Sequence, residues 1–393
     1  MYTEIHMPKG FKCAGIAAGI KPAGVKDMAL ILSETPASAA GVFTTNQVCA
    51  APVKVCRAHL EHGVARAIVM NSGVANACTG AEGMVAAKDM AAETAKAIGC
   101  EPQEIFVCST GKIGPQLPLD KIISGVGTLL DSARGESVQD TAEAMMTTDT
   151  RPKVATAEFQ IEGVAAKIVG FAKGAGMIEP NMATMLSYIT TDAAVRRPAL
   201  QSALKKAVDQ SFNRISIDGD QSTNDTVLAL ANGAAGVEPL DENSTDWKAF
   251  ESALESVCFE LAMMIVHDGE GADKFVTVNV KNAATDADAE LAARAVANSM
   301  LNKTAWAGTH PDWGRIMDSI GYSKAKVVEE KVDIFYDAVQ AVAGGCRSGV
   351  AHEDLIKVVS QTDFAINIDL RQGDGAATVY TCNCTEAYVR INY

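Results

Sequence analysis

The stretch Lys173-Gly174-Ala175-Gly176-Met177-Ile178-Glu179-Pro180-Asn181-Met182-Ala183-Thr184-Met185-Leu186 places one hydroxyl, that of Thr184, behind a small residue and a Pro-Asn turn. An apolar run begins immediately after it. A threonine in that setting can attack the carbonyl of Ala183, cut the chain there and become an N-terminal nucleophile. Threonine hydroxyls are weak nucleophiles and need an adjacent base. The α-amine freed by the cut, with a reference pKa of about 7.7–8.0, would supply one on the same residue. The spacing by itself fits equally well a threonine that opens a strand. Gly174-Ala175-Gly176 matches neither GxGxxG nor the Walker pattern, so a phosphate loop is not read there.

Working outward, short β-like runs alternate with Ala-rich helices. Strands are expected at 28–32, 42–45, 67–70 and 105–108, and a hairpin of 154–159 with 165–171 across Glu162-Gly163. Further strands are expected after Thr184 to Ile189 and at 275–280, 332–336, 365–370 and 377–381. Helices are expected at 84–98 with Gly99 as stop signal, 117–130, 140–146, 199–210, 247–266 and 287–300. The mixture predicts a layered α+β architecture without a clean βαβ rhythm. The acidic stretch 238–246 reads as an exposed connection or a capping loop.

The 393 residues give ample material for a buried core, with 48% hydrophobic and 21% charged residues in an ordinary globular balance. A formal net charge of −14 argues against nucleic-acid or anionic-membrane partners. The ten cysteines form no CxxC pair and read as free thiols, and no metal site is expected. Cys13–Ile20 makes a poor signal peptide, and no run reaches the ~20 apolar residues of a membrane-spanning helix. A cytoplasmic protein is the expectation.

Ser109-Thr110-Gly111-Lys112-Ile113-Gly114 follows a predicted strand end, where backbone N–H groups and a hydroxyl could form an oxyanion hole or simply a glycine turn. Polar strings at 147–150, 218–226 and 267–272 read mostly as Asx and Ser/Thr turns, and the second misses the EF-hand pattern. Glu270, between Gly269 and Gly271, stands apart as a carboxylate that a flexible backbone could present to a cavity.

Together with Asn71-Ser72-Gly73, Asn76-Ala77-Cys78-Thr79-Gly80, Trp313-Gly314-Arg315-Ile316 and Tyr388-Val389-Arg390-Ile391-Asn392, these segments span nearly the whole chain. In that order the chain resembles the ornithine acetyltransferase (glutamate N-acetyltransferase) family of arginine biosynthesis. The resemblance implies a self-cleaving N-terminal-nucleophile-like α/β sandwich, cut between Ala183 and Thr184 into segments 1–183 and 184–393 that stay folded together. Such a heterodimer would pair into a heterotetramer. It implies Thr184 as nucleophile, Thr110 and Gly111 as oxyanion hole, and substrate contacts from Thr147, Lys173, Thr184, Glu270 and Asn392. The implied reaction moves acetyl from N-acetylornithine to glutamate without a cofactor, with acetyl-CoA a candidate second donor. Alternatives are a related aminopeptidase or amidohydrolase, with water as acceptor, and an uncleaved amino-acid-binding homologue.

Three departures from the family pattern bear on specificity rather than on the nucleophile. Val74 stands where the family usually has a polar residue, and Thr309-His310-Pro311-Asp312 replaces Ala-Asp-Pro-Asn. Family members also run several residues past the position of Tyr393, to a Ser or Thr that touches substrate.

Overall fold

The computed structural model describes residues 5–179 and 185–393. The chain folds as two compact units, neither continuous in sequence: one holds Met1–Gly174, Pro180–Asn213 and Gln221–Ile265, the other Ala175–Glu179, Arg214–Asp220 and Val266–Tyr393.

In the first unit, strands β1 (Phe11–Ile16), β2 (Met28–Phe43), β3 (Val64–Val74), β4 (Ile105–Lys112), β5 (Lys153–Ile161), β6 (Val164–Lys173) and β7 (Leu186–Thr191) join β9 (Thr226–Ala231) in one eight-stranded sheet. The order is β4-β3-β2-β9-β7-β6-β5, with β1 paired to β2. Two neighbouring pairs, β3 with β4 and β7 with β9, are parallel, which carries the ends of β4 and β7 to sites set by pairing. Helices α1 (Ala51–Leu60), α3 (Leu119–Ala133), α4 (Val138–Met145) and α5 (Arg197–Gln210) pack on β4, β1, β1 and β2 respectively. Helix α2 (Gly80–Ile98) lies beside α1 and α3, burying Ala86, Ala87, Met90, Ala91 and Ala95. It stops where Gly99 turns left-handed (φ 82°) and gives its N–H to Ala95. Helix α6 (Trp247–His267) contributes its residues through Ile265 to this unit.

The predicted hairpin is present: Ile161 pairs with Val164, and Glu162 and Gly163 both take positive φ, as a two-residue primed turn requires. Two runs expected as separate strands, 28–32 and 42–45, are instead one 16-residue strand, β2. Pro36 offers no N–H to a ladder, and the pairing of β2 with β3 shifts register between Leu32 and Ala37. Beyond the shift, β2 continues from Ser38 as partner of β9.

In the second unit, β8 (Ile215–Ser216), β10 (Phe275–Ala283), β11 (Asp333–Tyr336), β12 (Val339–Ala343), β13 (Cys346–Arg347), β14 (Asp363–Asp369) and β15 (Gly375–Cys382) form a seven-stranded sheet, order β13-β12-β11-β14-β10-β15-β8. Helix α7 (Asp286–Asn298) packs on β10 and β15 and buries Ala289, Ala292, Ala293, Val296 and Ala297. The expected helix at 287–300 ends earlier, because Ser299 becomes the N-cap of α8 (Met300–Ala307). Helices α9 (Trp313–Tyr322), α10 (His352–Val359) and α11 (Glu386–Ile391) complete the unit. Asp312 caps α9 by accepting the Arg315 N–H.

Among the described residues, all ten cysteines are unpaired, and no helix is long and apolar enough to cross a membrane.

Candidate active site

In the first unit the site begins where β3 and β4 end side by side, Ser72 opposite Thr110 and Gly73 opposite Gly111. Gly111 has φ 127°, and a Cβ there would run into the backbone of Gly73, so conformation and proximity both demand glycine. The turn is fixed from below by polar side chains inside an otherwise apolar core. Ser109 Oγ donates to Asn71 Oδ1 (2.7 Å), and Asn71 Nδ2 donates to the Val74 carbonyl (2.9 Å). The departure at Val74 is thus served by backbone, whatever its side chain. Ser72 Oγ donates to the Ala144 carbonyl (2.6 Å), tying in the end of α4. Asn224 Nδ2 donates to the carbonyls of Ser109 (2.9 Å) and Ala75 (2.6 Å).

Lys173, the last residue of β6, is buried, and its Nζ donates to Thr147 Oγ1 (2.7 Å) and Thr110 Oγ1 (3.3 Å). Three of the residues singled out in the sequence therefore meet at one ammonium. A carboxylate secures that meeting point. Asp149 Oδ1 accepts from Lys153 Nζ (2.7 Å) and the Gly174 N–H (2.6 Å), and Oδ2 accepts from the Thr147 N–H (2.9 Å). Burial alone would raise the Asp149 pKa. The charges of Lys173 and Lys153, with those hydrogen bonds, overcome it and hold the carboxyl below its ordinary range. Lys21 donates to the Met146 carbonyl (2.5 Å); burial lowers its pKa, Asp27 opposes that shift, and the nearby Lys173 adds to it.

The string 147–150, read from sequence as a turn, thus contains the anion that organises Thr147 and Lys173. The structure supplies the reason: Lys153 opens a strand yet is 1% exposed, and a buried lysine needs a partner. Ala183 and Thr184 lie outside the described residues. The next residue, Met185, donates its N–H to Asp225 Oδ1 (2.7 Å).

Glu270 and Asn392 fall in the second unit, and they meet: Asn392 Nδ2 donates to Glu270 Oε2 (2.6 Å). Glu270 gives its own N–H to the Ala175 carbonyl (2.8 Å), and its carboxylate occupies the space a Cβ on Gly176 would need. Gly176 is therefore part of a carboxylate cradle. The segment 175–179 is anchored by Asp218, which accepts the N–H groups of Met177 (2.5 Å) and Ile178 (2.8 Å). The Ile178 carbonyl accepts the Ile217 N–H, and Glu179 pairs with Arg294 (3.0 Å). Asp218 also accepts from Tyr388 Oη (3.2 Å); burial first, then that carboxylate, raises the phenol pKa.

The profile of the ArgJ family matches residues 12–393. The arginine biosynthesis bifunctional protein ArgJ of Geobacter sulfurreducens is 47% identical over 385 residues, 98% of each chain. The chain belongs to the ArgJ family. The namesake from Caldanaerobacter subterraneus is 45% identical over 393 residues, covering 99% of this chain and 97% of its own. A crystal structure of the ArgJ protein from Bacillus halodurans, 39% identical, aligns with 53% of this chain and 99% of its own at a TM-score of 0.51. Over that aligned part the mixed α/β fold is the ArgJ fold.

Proposed function

We infer that this chain is a glutamate N-acetyltransferase of arginine biosynthesis that works through an acetyl-Thr184 intermediate. The whole-length identity of 47% to an arginine biosynthesis bifunctional ArgJ protein carries the reading. The meeting of Thr110, Thr147 and Lys173 beside the Gly111 turn supports it.

The Thr184 hydroxyl attacks the Ala183 carbonyl, the C–N bond breaks with its proton passing to nitrogen, and water hydrolyses the resulting ester. The freed α-amine then takes the hydroxyl proton as Thr184 attacks the acetyl carbonyl of N-acetylornithine. Backbone N–H groups at Thr110 and Gly111 receive the oxyanion. Ornithine leaves with the proton, and the amine of glutamate attacks the acetyl ester, giving N-acetylglutamate and restoring Thr184. The two amino-acid substrates differ in the charge at their side-chain ends, so the shared α-carboxylate is the common handle, and Lys173 is its partner. Glu270 meets the ornithine ammonium. Acetyl-CoA serves as a second donor to the same threonine, in keeping with a bifunctional family. The segments 1–183 and 184–393 remain associated, and two such heterodimers pair.

Intact mass and product analysis test this together. The purified protein should give two segments of 183 and 210 residues (393 − 183 = 210) and form N-acetylglutamate from acetylornithine plus glutamate. Free acetate without N-acetylglutamate would mark a hydrolase, and an unbroken chain transferring acetyl at full rate would remove Thr184 from its role.

A further inference from the structure

Asp225 is buried, and its Oδ2 makes no well-formed hydrogen bond. Burial drives this carboxyl's pKa well above its ordinary value, against the pull of the Met185 N–H, of Lys173 and of the nearby Thr44 and Ser222 hydroxyls.

Its other oxygen, Oδ1, holds the N–H of Met185 at 2.7 Å, while the Met185 carbonyl accepts the N–H of Thr226 (3.1 Å). The ladder between β7 and β9 starts only at Leu186, opposite Thr226. Asp225 therefore extends control one residue beyond the sheet. The N–H it holds belongs to the planar amide that joins Met185 to residue 184. Its neighbour Asn224 grips the Ser109 carbonyl, one residue before Thr110. Thr110, Lys173, Met185, Asn224 and Asp225 line a common void of ≈ 10 Å³, too small for more than a single water.

We propose that Asn224 and Asp225 form a clamp setting the start of β7 against the oxyanion turn of β4, with Asp225 the positioning residue for Thr184. The inference rests on the acetyl-transfer reading above. One side chain fixes the strand that follows the nucleophile, and the adjacent one fixes the strand end that carries the oxyanion donors. The placement of Met185, the residue after the nucleophile, against the end of β4 is then set by two consecutive residues. Misplacement by about 1 Å costs on the order of 10²-fold in rate.

Asp225→Leu removes the acceptor without leaving a buried charge, and Asp225→Asn keeps an oxygen for the Met185 N–H. The leucine variant should cleave slowly and lose about 10²-fold in kcat, with KM for acetylornithine and glutamate within about twofold of wild type. The asparagine variant should stay near wild type in both. If the leucine variant does not fold, Asp225→Ala carries the same expectation. A folded leucine or alanine variant with normal cleavage and kcat overturns the clamp. So does a loss confined to KM, or an asparagine variant as slow as the others. Wild-type protein assayed alongside separates the two inferences: if it is cleaved and active, the variants decide on Asp225 alone. If it stays whole and inert, the acetyl-transfer reading fails and takes the clamp with it.

Discussion

Lys173 and Glu270 are both buried and both candidates for gripping substrate, yet they are held in opposite ways. Lys173 sits in a web of hydroxyls, carboxylate and backbone drawn from β4, β6 and the 147–149 turn. The Glu270 carboxylate rests against a glycine and takes a hydrogen bond from Asn392, an exposed residue just past α11. In the first case, changing the binding group disturbs buried charges that compensate one another. In the second, the group can change with little damage to its unit. Under the proposed roles, the group common to both substrates is tied into the core, whereas the one that would distinguish them is lightly attached.

The sharpest test is at the nucleophile. Thr184→Ala should leave one 41.2 kDa chain on a denaturing gel and lower kcat by about 10⁶-fold; two bands from this variant would put the cut elsewhere. Next comes Asp149→Asn, which strips the compensating charge from Lys153 and Lys173 and should cost about 3–5 kcal/mol of stability at pH 7. Because the folded carboxyl titrates below its ordinary range, its stabilisation is complete above the unfolded value of about 3.9 and drains away as pH falls toward the lower folded one. Melting curves of wild type and variant should therefore keep a constant gap from pH 8 to 5 and converge below about pH 4. A gap that persisted into acid would mean that packing, not charge, holds the 147–153 segment.

Gly111→Ala should lower kcat by about 10²–10³-fold through the displaced oxyanion donors. The change should fall on turnover, and unaltered kcat would move the oxyanion hole away from this turn. The smallest effect belongs to the second unit. Glu270→Gln should raise KM for acetylornithine about tenfold while leaving KM for glutamate and the melting temperature nearly unchanged. Equal shifts for both substrates would erase the contrast between the units.

Local chemistry was legible in the sequence wherever it announces itself locally. The hairpin at Glu162-Gly163, the Gly99 stop and the β4 core at 105–108 follow from turn residues and apolar runs that need no distant partner. Strand β2 was not legible as one element, because a proline that reads as a break is absorbed by a register shift against β3. Strand β9 went unread since its apolar run follows a string that looked like continuous turn. That string in fact divides its work. Asp218 anchors 177–178 in one unit, and Asn224 and Asp225 bind Ser109 and Met185 in the other. Bonds spanning 40 residues or more decide those roles, and composition carries no trace of them. Thr110, Thr147 and Lys173 were picked out individually, but their convergence depends on which strands are neighbours.

The anchors at 177–179 and at 185 have a further consequence. Glu179, Ile178 and Met177 are bonded within one unit, and Met185 within the other, so each flank of Ala183–Thr184 has its own moorings. A cut at Ala183–Thr184 would leave those bonds in place, and the ladder between β6 and β7, in which Lys173 faces Leu186, would still join the two sides. Such a cut would trade a backbone bond for an amine without loosening the described residues on either shore.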